Sequence, residues 1–133
     1  MSLIEDILNK SKVVAIVGLS ANQERPSYVV GEYLKAHGYK IIPVNPGEKE
    51  ILGEKSYPDL ISIPEKVDVV DIFRRSEEVP PIVRQAIKIG AKTVWMQEGV
   101  INKEAAAEAR QARLQVVMDK CMRKQHIKFH GGE

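Results

Sequence analysis

Three features of the sequence predict a three-layer, doubly wound α/β domain with about five parallel strands and helices on both faces. Strand-length apolar runs recur along the chain, segments of helical periodicity lie between them, and Gly or Asn falls where each element should stop or start. The runs are VVAIV at 13–17, KIIPV at 40–44, VDVVDIF at 67–73, TVWM at 93–96 and QVVM at 115–118. They are rich in β-branched residues and apolar on both faces, which suits parallel strands covered by helices on each side. Ile4, Ile7 and Leu8 fall on one helical face and predict a leading helix over 2–10. Further helices are predicted over 27–37, 79–89 and 102–113. Gly38, Gly90 and Gly99 punctuate the ends, and Asn102 is a capping residue for the helix that begins KEAAAEAR. Repeated βα units impose right-handed crossovers, and these wind the sheet in both directions.

The 133 residues fit one compact domain, 1–133, with an ordinary hydrophobic content of 44%. Lys and Arg number 20 against 18 Asp and Glu, and no basic run is present. A nucleic-acid partner is therefore not expected. The single cysteine, Cys121, excludes an internal disulfide and suits a reducing compartment. The first residues, MSLIEDILNKSK, are acidic early and lack a long apolar core, so they are not read as a secretory signal. No stretch approaches the roughly 18 apolar residues of a membrane span. A soluble, cytoplasmic protein is expected.

In a doubly wound sheet the ligand lies outside the carboxyl ends of the strands, near the point where strand order reverses. The candidates after the first run are Gly18, Leu19, Ser20, Ala21, Arg25 and Ser27; after the second, Asn45, Pro46, Gly47 and Lys49. Arg74, Arg75 and Ser76 follow the third, Gln97, Glu98 and Gly99 the fourth, and Asp119, Lys120 and Cys121 the fifth. The segment VVAIVGLS, with Pro26-Ser27 beyond it, has the form of a strand running through Gly and Ser into a helix start. That form offers N–H groups, a hydroxyl and a positive helix end to a phosphate. It is equally the form of a tight turn followed by a helix cap.

The segment lacks the second and third glycines of the dinucleotide fingerprint, and the second run ends in Val44-Asn45-Pro46-Gly47 with no acid to hold ribose hydroxyls. NAD is disfavoured on both counts. No GxxxxGK[ST] loop occurs, which excludes a P-loop nucleotidase. Lys49, Arg74 and Arg75 are suited to neutralising several phosphates, or are solvated surface charge.

Taken together, VVAIVGLS, Pro26-Ser27, HGYKIIPVNP at 37–46, EILGEKSYPDL at 50–60, IPEKVDVVDIFRR at 63–75, VWMQEGV at 94–100 and VVMDKCMRKQH at 116–126 resemble the stand-alone CoA-binding domain family. The resemblance covers about residues 10–127. It extends to the amino-terminal CoA-binding domain of the succinyl-CoA synthetase alpha subunit and of the NDP-forming acyl-CoA synthetases. It implies a Rossmann-like domain that binds coenzyme A or an acyl-CoA. The loop Gly18–Ala21 and the helix start at Ser27 would then hold CoA phosphate, with Lys49 the nearest match to a contributing lysine. Met96, Gln97, Glu98 and Gly99 would lie along the CoA, Asn45 and Pro46 would form the strand-end turn, and the FRR match brings in Arg74 and Arg75.

The synthetases also carry a phosphorylated histidine in a second domain and an ATP-grasp unit, and these 133 residues have room for neither. The resemblance therefore favours a CoA-binding protein over an enzyme. Two alternatives stay open: a small Rossmann-fold enzyme acting on a nucleotide or acyl-CoA with Glu98 or Asp119 as base, and a CoA- or redox-responsive interaction module. His37 reads as a helix-terminal residue. Cys121, His126 and His130 fall short of a zinc ligand set, and the simpler reading is a strand-end thiol and a polar terminal segment. A further reading lets Cys121 react with the thiol of CoA, aided by Lys120, Arg123 and Lys124.

Overall fold

The computed structural model describes residues 2–131; Met1, Gly132 and Glu133, which the 1–133 domain assignment includes, lie outside the described residues. Five parallel strands form the main sheet: β1 (Val13–Val17), β2 (Lys40–Val44), β5 (Val69–Ile72), β6 (Thr93–Met96) and β7 (Gln115–Val117), in the order β2-β1-β5-β6-β7. Order reverses between β1 and β5, which fixes the switch point there. Pro43 lies in β2 without disrupting the sheet because β2 is an edge strand. The fold is the three-layer α/β arrangement expected from the sequence.

Side-chain alternation along the strands divides the interior into two cores. Ala15, Val17, Val70, Ile72, Val94 and Met96 point to the face covered by α3 (Val79–Lys88) and α4 (Lys103–Gln111). Val14, Ile16, Val69 and Trp95 point to the face covered by α1 (Leu3–Lys10), α2 (Pro26–Ala36) and α5 (Met122–His130). The helices begin where local chemistry permits. Ser2 accepts from the Glu5 N–H at 3.1 Å and caps α1, and Pro26 opens α2 at a position whose N–H has no helical partner. Asn102 caps α4 by accepting from the Ala105 N–H at 2.9 Å.

Besides a single 3-10 turn at Ser76–Glu78, a hairpin and a C-terminal helix are absent from the sequence reading. A hairpin pairs β3 (Glu50–Ile51) with β4 (Glu54–Lys55) through Leu52 and Gly53, both at positive φ. Lys35 of α2 holds it, donating to the Leu52 carbonyl and pairing with Glu54 at 3.0 Å. The second is α5, which corrects the reading of the residues after Cys121 as a polar terminal segment. Met122 is fully buried, and His126 is buried with its Nδ1 2.8 Å from the Tyr33 hydroxyl. Only two strongly apolar residues, Ile127 and Phe129, follow Met122, so the helical period is weakly marked. No helix among the described residues is long and apolar enough to cross a membrane.

Candidate functional site

At the carboxyl ends of β5 and β6 a cleft of about 680 Å³ opens between the N-terminal ends of α2 and α5. Its walls are Pro26 and Val30 from α2, Phe73, Arg74, Arg75 and Glu78 after β5, Gln97, Glu98 and Val100 after β6, and Cys121 at the start of α5. The volume is that of a small-molecule site. The lining mixes apolar residues with two arginines, and Lys124 pairs with the lining residue Glu98, so each of the three cations is held by a carboxylate. Arg74 and Arg75 converge on Glu78 at 2.6 and 2.9 Å, and Lys124 meets Glu98 at 3.0 Å. The hydrogen bonds from Arg75 and then Arg74 draw the Glu78 carboxyl down to about 2. An anionic ligand can take over these cations only by competing with Glu78 and Glu98.

The loop after β1 is wired to itself. Ser27 is buried, and its hydroxyl oxygen accepts the Ser20 N–H at 2.9 Å; the Ser20 oxygen in turn accepts the Asn22 N–H at 3.0 Å. The Ser20 amide is thus spent inside the protein, while both hydroxyl protons remain for donation. Leu19 is fully buried in the core, Ala21 is exposed, and Arg25 is exposed at the N-cap of α2. Asn45 clamps the loop from below, donating to the Leu19 carbonyl at 3.0 Å and accepting the Gly47 N–H at 2.8 Å.

Gly18 has φ +89°, and a Cβ there would collide with the Phe73 carbonyl oxygen. The close approach that requires this glycine is therefore the contact between the β1 and β5 loops. Gly18 and Pro46 border a second depression, of about 480 Å³, on the α3 side of the sheet edge; Arg74 and Glu78 separate it from the main cleft.

On the other flank, Gln97 is 4% exposed and its Oε1 accepts the Met122 N–H at 3.1 Å, which fixes the amide against the start of α5. Gly99 donates to Asp119 at 2.7 Å, and Ser76 accepts the Ile101 N–H at 2.9 Å, so the loop after β6 is tied to both neighbours. Glu98 and Asp119 are both occupied in structural pairs. Met96 is fully buried against α3 and α4, so its side chain faces away from the cleft. Lys49 is exposed in the turn before β3, its carbonyl accepting from Ser56, and it does not line the cleft. Five of the sequence candidates, Arg74, Arg75, Gln97, Glu98 and Cys121, thus share the cleft wall.

Pro26, Val30, Phe73, Glu78 and Val100 were not among the sequence candidates. Pro26 and Val30 stand one turn apart, which put both on the same face of α2 as a legible signal. Among the described residues no group of three or more His, Cys, Asp or Glu is arranged to hold a metal ion.

A cleft outside the carboxyl ends of a doubly wound parallel sheet, beside the starts of two helices, defines a Rossmann-like α/β domain with its cleft on the side where such folds take ligands. The chain belongs to the CoA binding domain family, whose sequence profile matches residues 12–127. It is 38% identical over 123 residues to the uncharacterized protein YneT of Bacillus subtilis, covering 92% of this chain and 91% of that one. A structure of a hypothetical protein from Pyrococcus horikoshii superposes with a TM-score of 0.92 at 43% identity, covering 95% of this chain and 89% of that chain. The ADP-forming acetate–CoA ligase II of Archaeoglobus fulgidus is 35% identical over 83 residues, which are 61% of this chain and 12% of the ligase. The chain is thus homologous to one part of such ligases.

Proposed function

We propose that this protein binds coenzyme A or an acyl-CoA in the cleft between α2 and α5 and carries out no ligase reaction of its own. The observation that carries the reading is the cleft itself: Pro26, Val30, Phe73 and Val100 supply apolar lining and Arg74 and Arg75 supply cations, in a chain whose family is defined by CoA-binding domains. CoA has the same two-part character, a polyphosphorylated nucleotide joined to a long neutral arm. In this reading the pyrophosphate sits beside the cleft at Ser20 and the start of α2 near Ser27, where the hydroxyl protons of Ser20 and Ser27 donate to it. Arg74 and Arg75 exchange Glu78 for phosphate oxygens, and the pantetheine arm runs along Phe73 and Gln97 to Gly99.

The engagement of Glu98 by Lys124 and of Asp119 by Gly99 argues against either acting as a general base. A binding role is favoured over catalysis for that reason. The cytoplasm is the fitting location, since a lone thiol stays reduced there. Calorimetric titration with CoA, acetyl-CoA, NAD and ATP tests the reading. Saturable binding of CoA and acetyl-CoA is expected, and binding of NAD without CoA overturns it.

A further inference from the structure

We propose that Cys121 is a covalent capture site, which exchanges with the disulfide form of the bound ligand and holds its pantetheine thiol as a mixed disulfide. This rests on the reading that the cleft takes CoA. Two independent features of the cleft meet at this sulfur.

Cys121 lies in the cleft wall and is 7% exposed, so a ligand seated in the cleft reaches it while bulk reagents are largely shut out. It occupies the N-cap of α5, a nine-residue helix, and its side chain makes no capping hydrogen bond. The sulfur is therefore not committed to the helix, and the positive helix end faces the charge that develops on it. Lys124, one turn on in the same helix, is held by Glu98 at 3.0 Å, and Glu98 lines the cleft with Cys121.

The second feature is Gln97. With its Oε1 held by the Met122 N–H, its amide nitrogen has no protein acceptor among the described residues, although the residue is 96% buried, being 4% exposed. It lines the same cleft as Cys121, and Met122 is the next residue in the chain after Cys121. Among the described residues the buried side-chain polar atoms without a partner are the Asp71 oxygens, so the Gln97 amide nitrogen is open to the cleft and is available to donate to a ligand seated there. The pantetheine arm supplies amide carbonyls a short distance from its sulfur, so an arm that satisfies Gln97 brings its terminal sulfur into the neighbourhood of Cys121.

The reaction is thiol–disulfide exchange and needs no oxidant beyond the ligand disulfide. The Cys121 thiol gives its proton to solvent, and Sγ attacks one sulfur of CoA disulfide. A new Sγ–S bond forms as the old S–S bond breaks. The departing CoA thiolate takes the electron pair and is protonated. Cys121 is oxidised and the departing half is reduced.

The test compares CoA disulfide with glutathione disulfide on the reduced full chain, followed by intact mass spectrometry and peptide mapping. The expected result is a single CoA adduct on Cys121 that forms about tenfold or more faster than the glutathione adduct, because the ligand is held beside the sulfur. Saturating acetyl-CoA, which fills the cleft with its sulfur blocked, should slow it. Cys121→Ser should abolish the adduct. Equal rates with the two disulfides, indifference to acetyl-CoA, or an unmodified Cys121 overturns the proposal. Calorimetry of the wild-type chain with CoA under reductant separates the causes. CoA binding with no adduct sinks the capture site alone, whereas absence of CoA binding sinks the functional reading as well.

Discussion

The two faces of the sheet differ in chemistry more than in size. The buried members of the α3/α4 core are all Ala, Val, Ile, Leu or Met. The α1/α2/α5 core includes Tyr33, Tyr39, Trp95 and Cys121, and the buried polar residues Ser27, Asp71 and His126 lie on that side. Asp71 is the extreme case. It falls between Val70 and Ile72 of the apolar core, so the pleat turns it to the opposite face, where it is fully buried and neither carboxyl oxygen has a hydrogen-bond partner among the described residues. Phe73, two residues on along the same face, lines the cleft. The aliphatic face supplies stability, and the face beneath the cleft carries groups that burial disfavours.

Truncating the aliphatic face should do the most damage. Met96→Ala removes a fully buried side chain from the α3/α4 core and should cost about 2–5 kcal/mol in urea denaturation. CoA affinity of the folded fraction should be nearly unchanged, since this side chain faces away from the cleft.

The opposite sign is expected at Asp71. Asp71→Val replaces an unsatisfied carboxyl with an apolar β-branched side chain suited to a strand, and should stabilise the protein by about 1–3 kcal/mol at pH 7. Burial raises this carboxyl well above its ordinary range, so the folded chain keeps a proton that the unfolded chain releases. Its contribution is fully present below about pH 3.9, the unfolded value, and is lost as pH rises through the folded value. Denaturation curves across that range should show the loss in the wild type and not in the variant.

His126 titrates the same face from the other side. Burial first, then His130 and His37, lower its pKa, so its contribution is present above the unfolded value of 6.5 and is lost as pH falls through the folded one. His126→Gln should cost about 1 kcal/mol at pH 8 through the altered Tyr33 contact and flatten the loss on acidification. The smallest effect belongs to the cleft rim. Glu78→Gln frees Arg74 and Arg75 from their carboxylate and should tighten CoA binding about two- to fivefold, with steeper salt dependence in calorimetry.

The sheet strands and the helices α2, α3 and α4 were legible because they follow simple periods. All five sheet strands fall within the apolar runs, and α2, α3 and α4 lie within one or two residues of their expected bounds. The hairpin was not, since a two-residue strand has no period to detect and Leu52 takes positive φ without being glycine. The polar face was only half legible. Strand-end geometry named Arg74, Arg75, Gln97 and Cys121, but the side chain of Asn45 and the Ser27 hydroxyl oxygen turn inward to brace the loop, and Met96 belongs to the core. A residue's place after a strand is readable from pattern, whereas the direction of its hydrogen bonds depends on partners far away in sequence.

An amide-resolved NMR titration with CoA tests the division between the two faces most directly. The expected shifts cluster at Val30, Phe73, Gln97 and Cys121, with Ile82 and Gln85 on the α3 side left still. Shifts centred on Ile82 and Gln85, or no shifts at saturating CoA, would contradict the account.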